Sequence, residues 1–348
     1  MKYAFQDLVD LGTKIFLAAG LNEEKAESVS RLLVTADAMG HTTHGLAQVP
    51  FYVKGLKDGT MTIEGEPEVL QDRGPTVVWN GKRLPGIWLA EKAMTLAAER
   101  AKKYGTCTLT MREAHHIGCL AAFLPAVTEQ GMIAILATSD PSGKAVAPFG
   151  GVEPVFTPNP YAMGIPTEGD PILVDISCSI STVSMAGRLN AEGRRFPGKW
   201  VQDAEGNATD DPSVMLSEPK GTLLPLGGQE YGHKGYGMAL MVETLTQGLS
   251  GFGRADQPTG WQGSVFLQVL DPEAFAGADS LKRQTEFLAE TCRNVKPADV
   301  SRPVRLPGGK ASVGLRAAKA EGLELYETIM KGIEPVAEGF GISMPSPL

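Results

Sequence analysis

Residues 251–256 read GFGRAD, and the fold turns on whether this is the glycine fingerprint of a dinucleotide-binding βαβ unit. That fingerprint, GxGxxG, needs a strand before it and a helix after it. Its glycines make a tight turn and let the backbone approach a pyrophosphate at the helix N-terminus. Here the sixth residue is Asp256, the stretch in front (YGMALMVETLTQGLSG, 236–251) patterns as a helix, and GSVFLQVLD (263–271) behind it patterns as a strand. The context is inverted, so the physical reasons for those glycines do not apply. No GxxxxGK[ST] loop and no GxSxG elbow occurs in the chain.

Outward from this point, helical and extended patterns alternate. EVLQD (68–72) and TVVWNG (76–81) predict short strands, the second with an Asn-Gly turn signal. LAEKAMTLAAERAKKYG (89–105) predicts a helix closed by Gly105, TCTLTM (106–111) a strand, LAAFLPAVTEQG (120–131) a helix with an internal proline, and MIAILATS (132–139) a buried strand. DPILVDIS (170–177) is another strand, whereas FPGKWVQDAEGNATDDP (196–212) is polar and turn-rich. The N-terminal segment predicts two helices, 5–19 and a second capped by Asn22 with Glu23 and Glu24 in its first turn. LKRQTEFLAETCRNV (281–295) and the tail from Glu324 are helical again. The expected architecture is mixed α/β: a helical domain of two pieces, 1–75 and 276–348, around an α/β domain at 76–275.

Composition excludes several functions. A formal charge of −8 and the absence of a Lys/Arg stripe argue against a nucleic-acid partner. No apolar run reaches the roughly 18 residues of a membrane span. The N-terminus, amphipathic and carrying acids, has no apolar leader, so a cytoplasmic address is expected. Cys107, Cys119, Cys178 and Cys292 are scattered without a CxxC pair, which predicts free thiols, with neither a disulfide framework nor a zinc site.

Two kinds of stretch carry chemistry. DAMGHTTHGLAQVP (37–50) sets His41 and His44 three apart where a helical pattern stops at Gly40. Two imidazoles at that spacing can share a metal, but a site needs further ligands, which His115 and His116 supply only if the fold brings them near. His44, between Thr43 and Gly45, also suits acid/base work, because imidazole titrates nearest neutral pH. PLGGQEYGHKGYGMAL (225–240) places glycines and a lysine before helical sequence, a pattern that cradles anions or simply forms a flexible loop, and RLPGGKAS (305–312) is a further candidate.

Taken in order, THG (43–45), HHIG (115–118), TS (138–139), APFGG (147–151), TPNP (157–160), LVDIS (173–177), PLGG with HKGYG (225–237) and RLPG (305–308) resemble the malate/L-lactate dehydrogenase family. Its relatives include ureidoglycolate, sulfolactate, diketogulonate and cyclic-imino-acid reductases. The resemblance runs nearly end to end. It implies a non-Rossmann NAD(P)-binding sheet domain, NAD or NADP as cofactor, a site near the interface of a tight homodimer, and hydride exchange at C2 of a small 2-oxo or 2-hydroxy acid or a cyclic imino acid. The family's proton-transferring histidine falls on His44 or on His116. Its cofactor contacts fall on Ser139, on Val174, Asp175, Ile176 and Ser177, on His233 and Lys234, and on Gly308, Gly309 and Lys310. Its substrate contacts fall on Gln48, His115 and Asn159, and no metal is implied.

Three positions depart from the family pattern. The usual arginine four residues after the histidine is Gln48, the asparagine before His116 is His115, and the usual Asn-Ser is Thr138-Ser139. A glutamine hydrogen-bonds a carboxylate but offers no charged fork. Two rival readings follow: a ligand-binding member that has lost catalysis with the arginine, and a metal-dependent hydrolase built on His41, His44, His115 and His116.

Overall fold

The computed structural model describes all 348 residues, Met1–Leu348. In chain order it has β1 (Lys2–Tyr3), α1 (Phe5–Ala18), α2 (Glu23–Ala38), α3 (Val49–Asp58), β2 (Glu68–Asp72), β3 (Thr76–Asn80), α4 (Gly86–Tyr104), β4 (Thr106–Ala114), α5 (Pro125–Thr128), β5 (Ile133–Ser139), β6 (Tyr161–Ile165) and β7 (Ile172–Ile176). There follow α6 (Val183–Ala191), β8 (Val201–Gln202), β9 (Ala208–Thr209), β10 (Thr222–Leu223), α7 (Gly228–Tyr231), α8 (His233–Glu243), β11 (Gly263–Leu270), α9 (Ala278–Asn294), α10 (Gly309–Glu321), β12 (Leu323–Glu324) and α11 (Glu327–Glu338).

Seven strands form the main sheet in the order β2-β3-β4-β11-β5-β6-β7. Only β3 and β4 run parallel, joined by the crossover helix α4, and every other pair is antiparallel. The Asn-Gly signal at Asn80-Gly81 is therefore not a hairpin. The tight turn lies instead between β2 and β3, where Arg73 N–H donates to Thr76 O. Side chains alternate across β11: Val265, Leu267 and Val269 enter a core of 61 residues with α4, while Phe266 enters a second core of 12 residues with Ala239 and Val242 of α8. This is the period-two geometry of a strand buried on both faces.

The helices of the two chain ends meet, with β1 paired to β12, α10 on α1 and α2, and α11 on α3. Their apolar faces run into the same 61-residue core as the sheet. α9 lies elsewhere, its Thr285 hydroxyl donating to Pro166 O beyond β6. Three further patterns resolve differently from the sequence reading. Residues 120–131 form only a 3-10 turn (120–123) and the four-residue α5, because Pro125 cannot continue the preceding turn. The helix expected over 236–251 starts earlier, at His233, and passes into a π turn over Thr244–Gly248. The polar stretch 196–212 contributes β8 and β9 of a small sheet completed by β10.

Local chemistry shapes the loop that carries His44. The Asn22 side chain accepts from Lys25 N and caps α2, which ends at Gly40 with φ 91°. A left-handed turn there suits glycine. In the last turn of α2, Asp37 accepts the Leu46 N–H at 2.7 Å and so ties the 3-10 turn Leu46–Gln48 to the helix. A Cβ at Gly45 would collide with that carboxylate.

Asp37 is buried, and its Oδ1 has no partner. Burial raises its pKa to about 7, against the opposing Leu46 amide and Arg188 charge. Between about pH 4 and 7 the unfolded state then ionises this group and the folded state does not, so its contribution to stability falls as pH rises. Asp37→Asn keeps the acceptor and removes the ionisation. The melting temperature of that variant, relative to the natural protein, should rise from pH 4.5 to pH 7.5, while Asp37→Ala, which orphans the Leu46 N–H, should lose about 1–3 kcal/mol at pH 4.5 and less at pH 7.5, since it too lacks the ionisation. Parallel pH dependence for D37N and the natural protein would contradict this account.

Candidate active site

The sheet and α3 bring two histidines together. His44 arrives on the loop held by Asp37, and His116 follows the end of β4, where the start of α4 abuts its carbonyl so closely that Gly86 has no room for a Cβ. Their rings stack with centroids 5.7 Å apart and planes 28° apart. Thr43 Oγ1 lies 2.9 Å from His44 Nδ1. Tyr52 Oη lies 2.8 Å from His116 Nδ1. Burial holds the Tyr52 phenol protonated, far above its usual range. As an O–H donor toward Nδ1 it would leave the ring proton of His116 on Nε2; its other acceptor is the His116 carbonyl, at 3.3 Å.

The two imidazoles are electrostatically unequal. Burial lowers the proton affinity of His116 far below the ordinary value, and His44 and His115 lower it further. His44 is also lowered by burial, but Asp175 pulls it upward. Only His44 therefore has a carboxylate to hold its imidazolium. Asp175 sits on β7, its Oδ2 accepting from Ala121 N at 2.9 Å and facing Cys119 Sγ at 3.7 Å. Burial and that carboxylate keep Cys119 a thiol.

The other candidate positions fall into two groups. Val174–Ser177 form the end of β7 and the residue beyond it, and two helix N-termini flank this edge. Gly308, Gly309 and Lys310 begin α10 against Leu173, whose N–H donates to Pro307 O, and a Cβ at Gly308 would press on Leu173. His233 and Lys234 begin α8, linked to the β7 edge through Leu226, which donates to Cys178 O and accepts from Gly235 N. Lys234 and Lys310 are exposed. Exposed lysines at two helix starts near one strand end suit an anionic ligand.

Ser139, Asn159 and His115 are instead enclosed. Ser139 Oγ is 2.7 Å from Thr246 Oγ1 and accepts from Gln247 Nε2 at 3.0 Å. Asn159 donates to Glu243 at 2.8 Å and accepts from the Thr157 hydroxyl, with its own surface fully covered. Glu243 in turn pairs with Arg254 of the GFGRAD stretch, which also donates to the carbonyls of Asp140, Pro141 and Gly143. His115 is buried beneath Phe51 and Tyr52, its Nδ1 unpartnered and its pKa lowered to about 4 by burial. No three of the histidines at 41, 44, 115 and 116 bring ligand nitrogens together; the group that does converge, within 4.8 Å, is His41, Cys119 and Asp175.

Gln48 spends its amide nitrogen on Thr43 O at 2.7 Å. Sequence reasoning passed over Tyr52, which lies on α3 four residues after Gln48. It also passed over Asp37, Phe51 and Trp261, the last packing edge-on against His116 at 5.0 Å. Phe51 adjoins Tyr52, whereas nothing in the pattern around Trp261 ties it to β4.

Known proteins agree with this architecture. L-sulfolactate dehydrogenase of Methanothermobacter thermautotrophicus is 29% identical, over 99% of this chain and 98% of its own. The crystal structure of malate dehydrogenase from Entamoeba histolytica superposes with a TM-score of 0.93 over 99% of each chain at 23% identity, a likeness of fold. Delta1-piperideine-2-carboxylate reductase from Pseudomonas syringae superposes with a TM-score of 0.84 over 97% of this chain and all of its own, at 26% identity. The family model described as malate/L-lactate dehydrogenase matches residues 3–334, so this oxidoreductase chain belongs to the malate/L-lactate dehydrogenase family.

Proposed function

We propose that the protein is an NAD(P)-dependent oxidoreductase acting at C2 of a small 2-oxo or 2-hydroxy acid, or of a cyclic imino acid. The observation that carries this reading is the stacked pair His44–His116 beside Asp175, at the strand end flanked by two helix N-termini. The residues at 174–177, 233–234 and 308–310 would hold NAD or NADP, and the nicotinamide would supply or accept the hydride. In reduction, His44 delivers a proton to the oxygen or nitrogen at C2, and Asp175 stabilises the imidazolium that this step consumes. His116, kept neutral and oriented by Tyr52, offers an Nε2–H that polarises the same atom. Ser139 and Asn159 support this edge from behind. The enclosed His115 and the committed amide of Gln48 leave the substrate carboxylate without a charged fork from these positions.

The protein is further expected to act as a cytoplasmic homodimer. Its four cysteines are free, which suits a reducing compartment. Leu240, Met241 and Leu249 are exposed on or just beyond α8 and suit a partner surface. The rival reading, a ligand-binding member that lost catalysis with the arginine at position 48, is weakened by the intact proton-transfer pair.

His44→Ala should lower kcat by about 100-fold or more with little change in NADH or NADPH affinity, measured by turnover and by cofactor fluorescence. Full activity in that variant, with none in His116→Ala, would move the proton to His116. Because the His44 proton affinity is depressed, kcat/KM for reduction should climb as pH falls below 6.5, and that for oxidation should fall; a flat profile in both directions would remove His44 from the step. Gln48→Arg should raise kcat/KM for simple 2-oxo carboxylates by about tenfold, since a charge-assisted bidentate contact is gained. Sedimentation at micromolar concentration should give a dimer, and a monomer there would count against the assembly. Binding of cofactor without turnover across a panel of 2-oxo acids and cyclic imino acids would favour the rival.

A further inference from the structure

Beside the histidine pair stands a wall of rings that proton transfer does not need. Phe51 contacts Tyr52 at 5.8 Å, His115 at 5.4 Å, Trp261 at 6.3 Å and His116 at 6.4 Å between centroids. Yet it remains 41% exposed. Trp261, half-buried, sets its ring at 88° to His116. An aromatic ring this well ordered by neighbours and still open on one side presents apolar surface at the open mouth of this ring cluster.

The charges around that mouth point the same way. A substrate with a second acidic group needs a cation or free donors to receive it, because an unpaired carboxylate against apolar rings loses its hydration without compensation. Gln48 is neutral, with its N–H donating to Thr43 O. His115 and His116 are held neutral by burial. The arginine bonded to this loop, Arg188, is already engaged, donating to the Thr42 hydroxyl and lying over the Tyr326 ring.

Resting on the dehydrogenase reading above, we infer that the substrate is a monocarboxylate whose C3 side carries an apolar or aryl group, received against Phe51 and Trp261. Malate-like and sulfolactate-like dianions are disfavoured by the same wall. Specificity here comes both from a favourable contact and from the absence of a partner for the competing charge.

The test compares kcat/KM for phenylpyruvate, 4-methyl-2-oxopentanoate, pyruvate, oxaloacetate and sulfopyruvate with one reduced cofactor. Phenylpyruvate and the branched acid should exceed oxaloacetate and sulfopyruvate by about tenfold or more, and Phe51→Ala or Trp261→Ala should each shrink the phenylpyruvate-to-pyruvate ratio by a similar factor. Oxaloacetate or sulfopyruvate used as well as phenylpyruvate, or an unchanged ratio in both variants, overturns the inference. Absence of turnover with every acid would count against the dehydrogenase reading alone, since binding decides this one separately. Tryptophan fluorescence of the natural protein should then report 3-phenyllactate binding at least tenfold tighter than malate, an advantage lost in Phe51→Ala; equal or tighter binding of malate overturns it.

Discussion

The molecule depends on one late strand. β11 arrives more than 120 residues after β5 and inserts between β4 and β5, pairing along nearly its whole length with both. Without it the sheet would be two ribbons, β2-β3-β4 and β5-β6-β7. The end of β4 leads to His115 and His116, and the far ribbon carries Asp175 on β7. The separation of the β4 end that carries the histidine pair from β7 is therefore set by hydrogen bonds made by β11. Such pairing closes long loops, an entropy cost repaid by burial on both faces of the strand.

Within that frame the site is governed by repulsion between like charges. Two imidazoles stacked at 5.7 Å cannot both be protonated in a buried setting. The chain resolves the conflict by position: Tyr52 occupies one nitrogen of His116, and Asp175 acts on His44. A symmetric pair in sequence, two histidines each next to a polar neighbour, becomes an asymmetric pair in space.

Local pattern made much of the fold legible. β2 and β3, the strand GSVFLQVL and the two N-terminal helices fall within a residue or two of where periodicity and caps put them. α6 and α10 went unread. α6 begins at a Thr182 cap that periodicity alone does not reveal, and α10 is rich in alanine and glycine, with only Ala311 and Ala318 buried to mark a face. The antiparallel insertion of β11 was invisible because strand neighbours are chosen by long-range closure and not by local composition. At the site, His44 and the glycine-lysine stretches at 225–240 and 305–312 could be read from residue type and spacing. The enclosure of Ser139, Asn159 and His115 could not, since it depends on partners up to 108 residues away such as Gln247. The GFGRAD stretch, rejected as a phosphate loop, takes its part through Arg254, whose guanidinium gathers three carbonyls and Glu243.

Cys119 has a consequence for the protein's tolerance of oxidants. A sulfur 3.7 Å from Asp175 would be a liability as a thiolate, open to sulfenic acid formation or alkylation beside the histidine pair. The neighbouring carboxylate and the surrounding apolar cover hold it in the thiol form, which is a poor nucleophile. The same negative charge that sustains an imidazolium on His44 thus also passivates the nearest sulfur, so that the centre does not have to be guarded by a separate redox device.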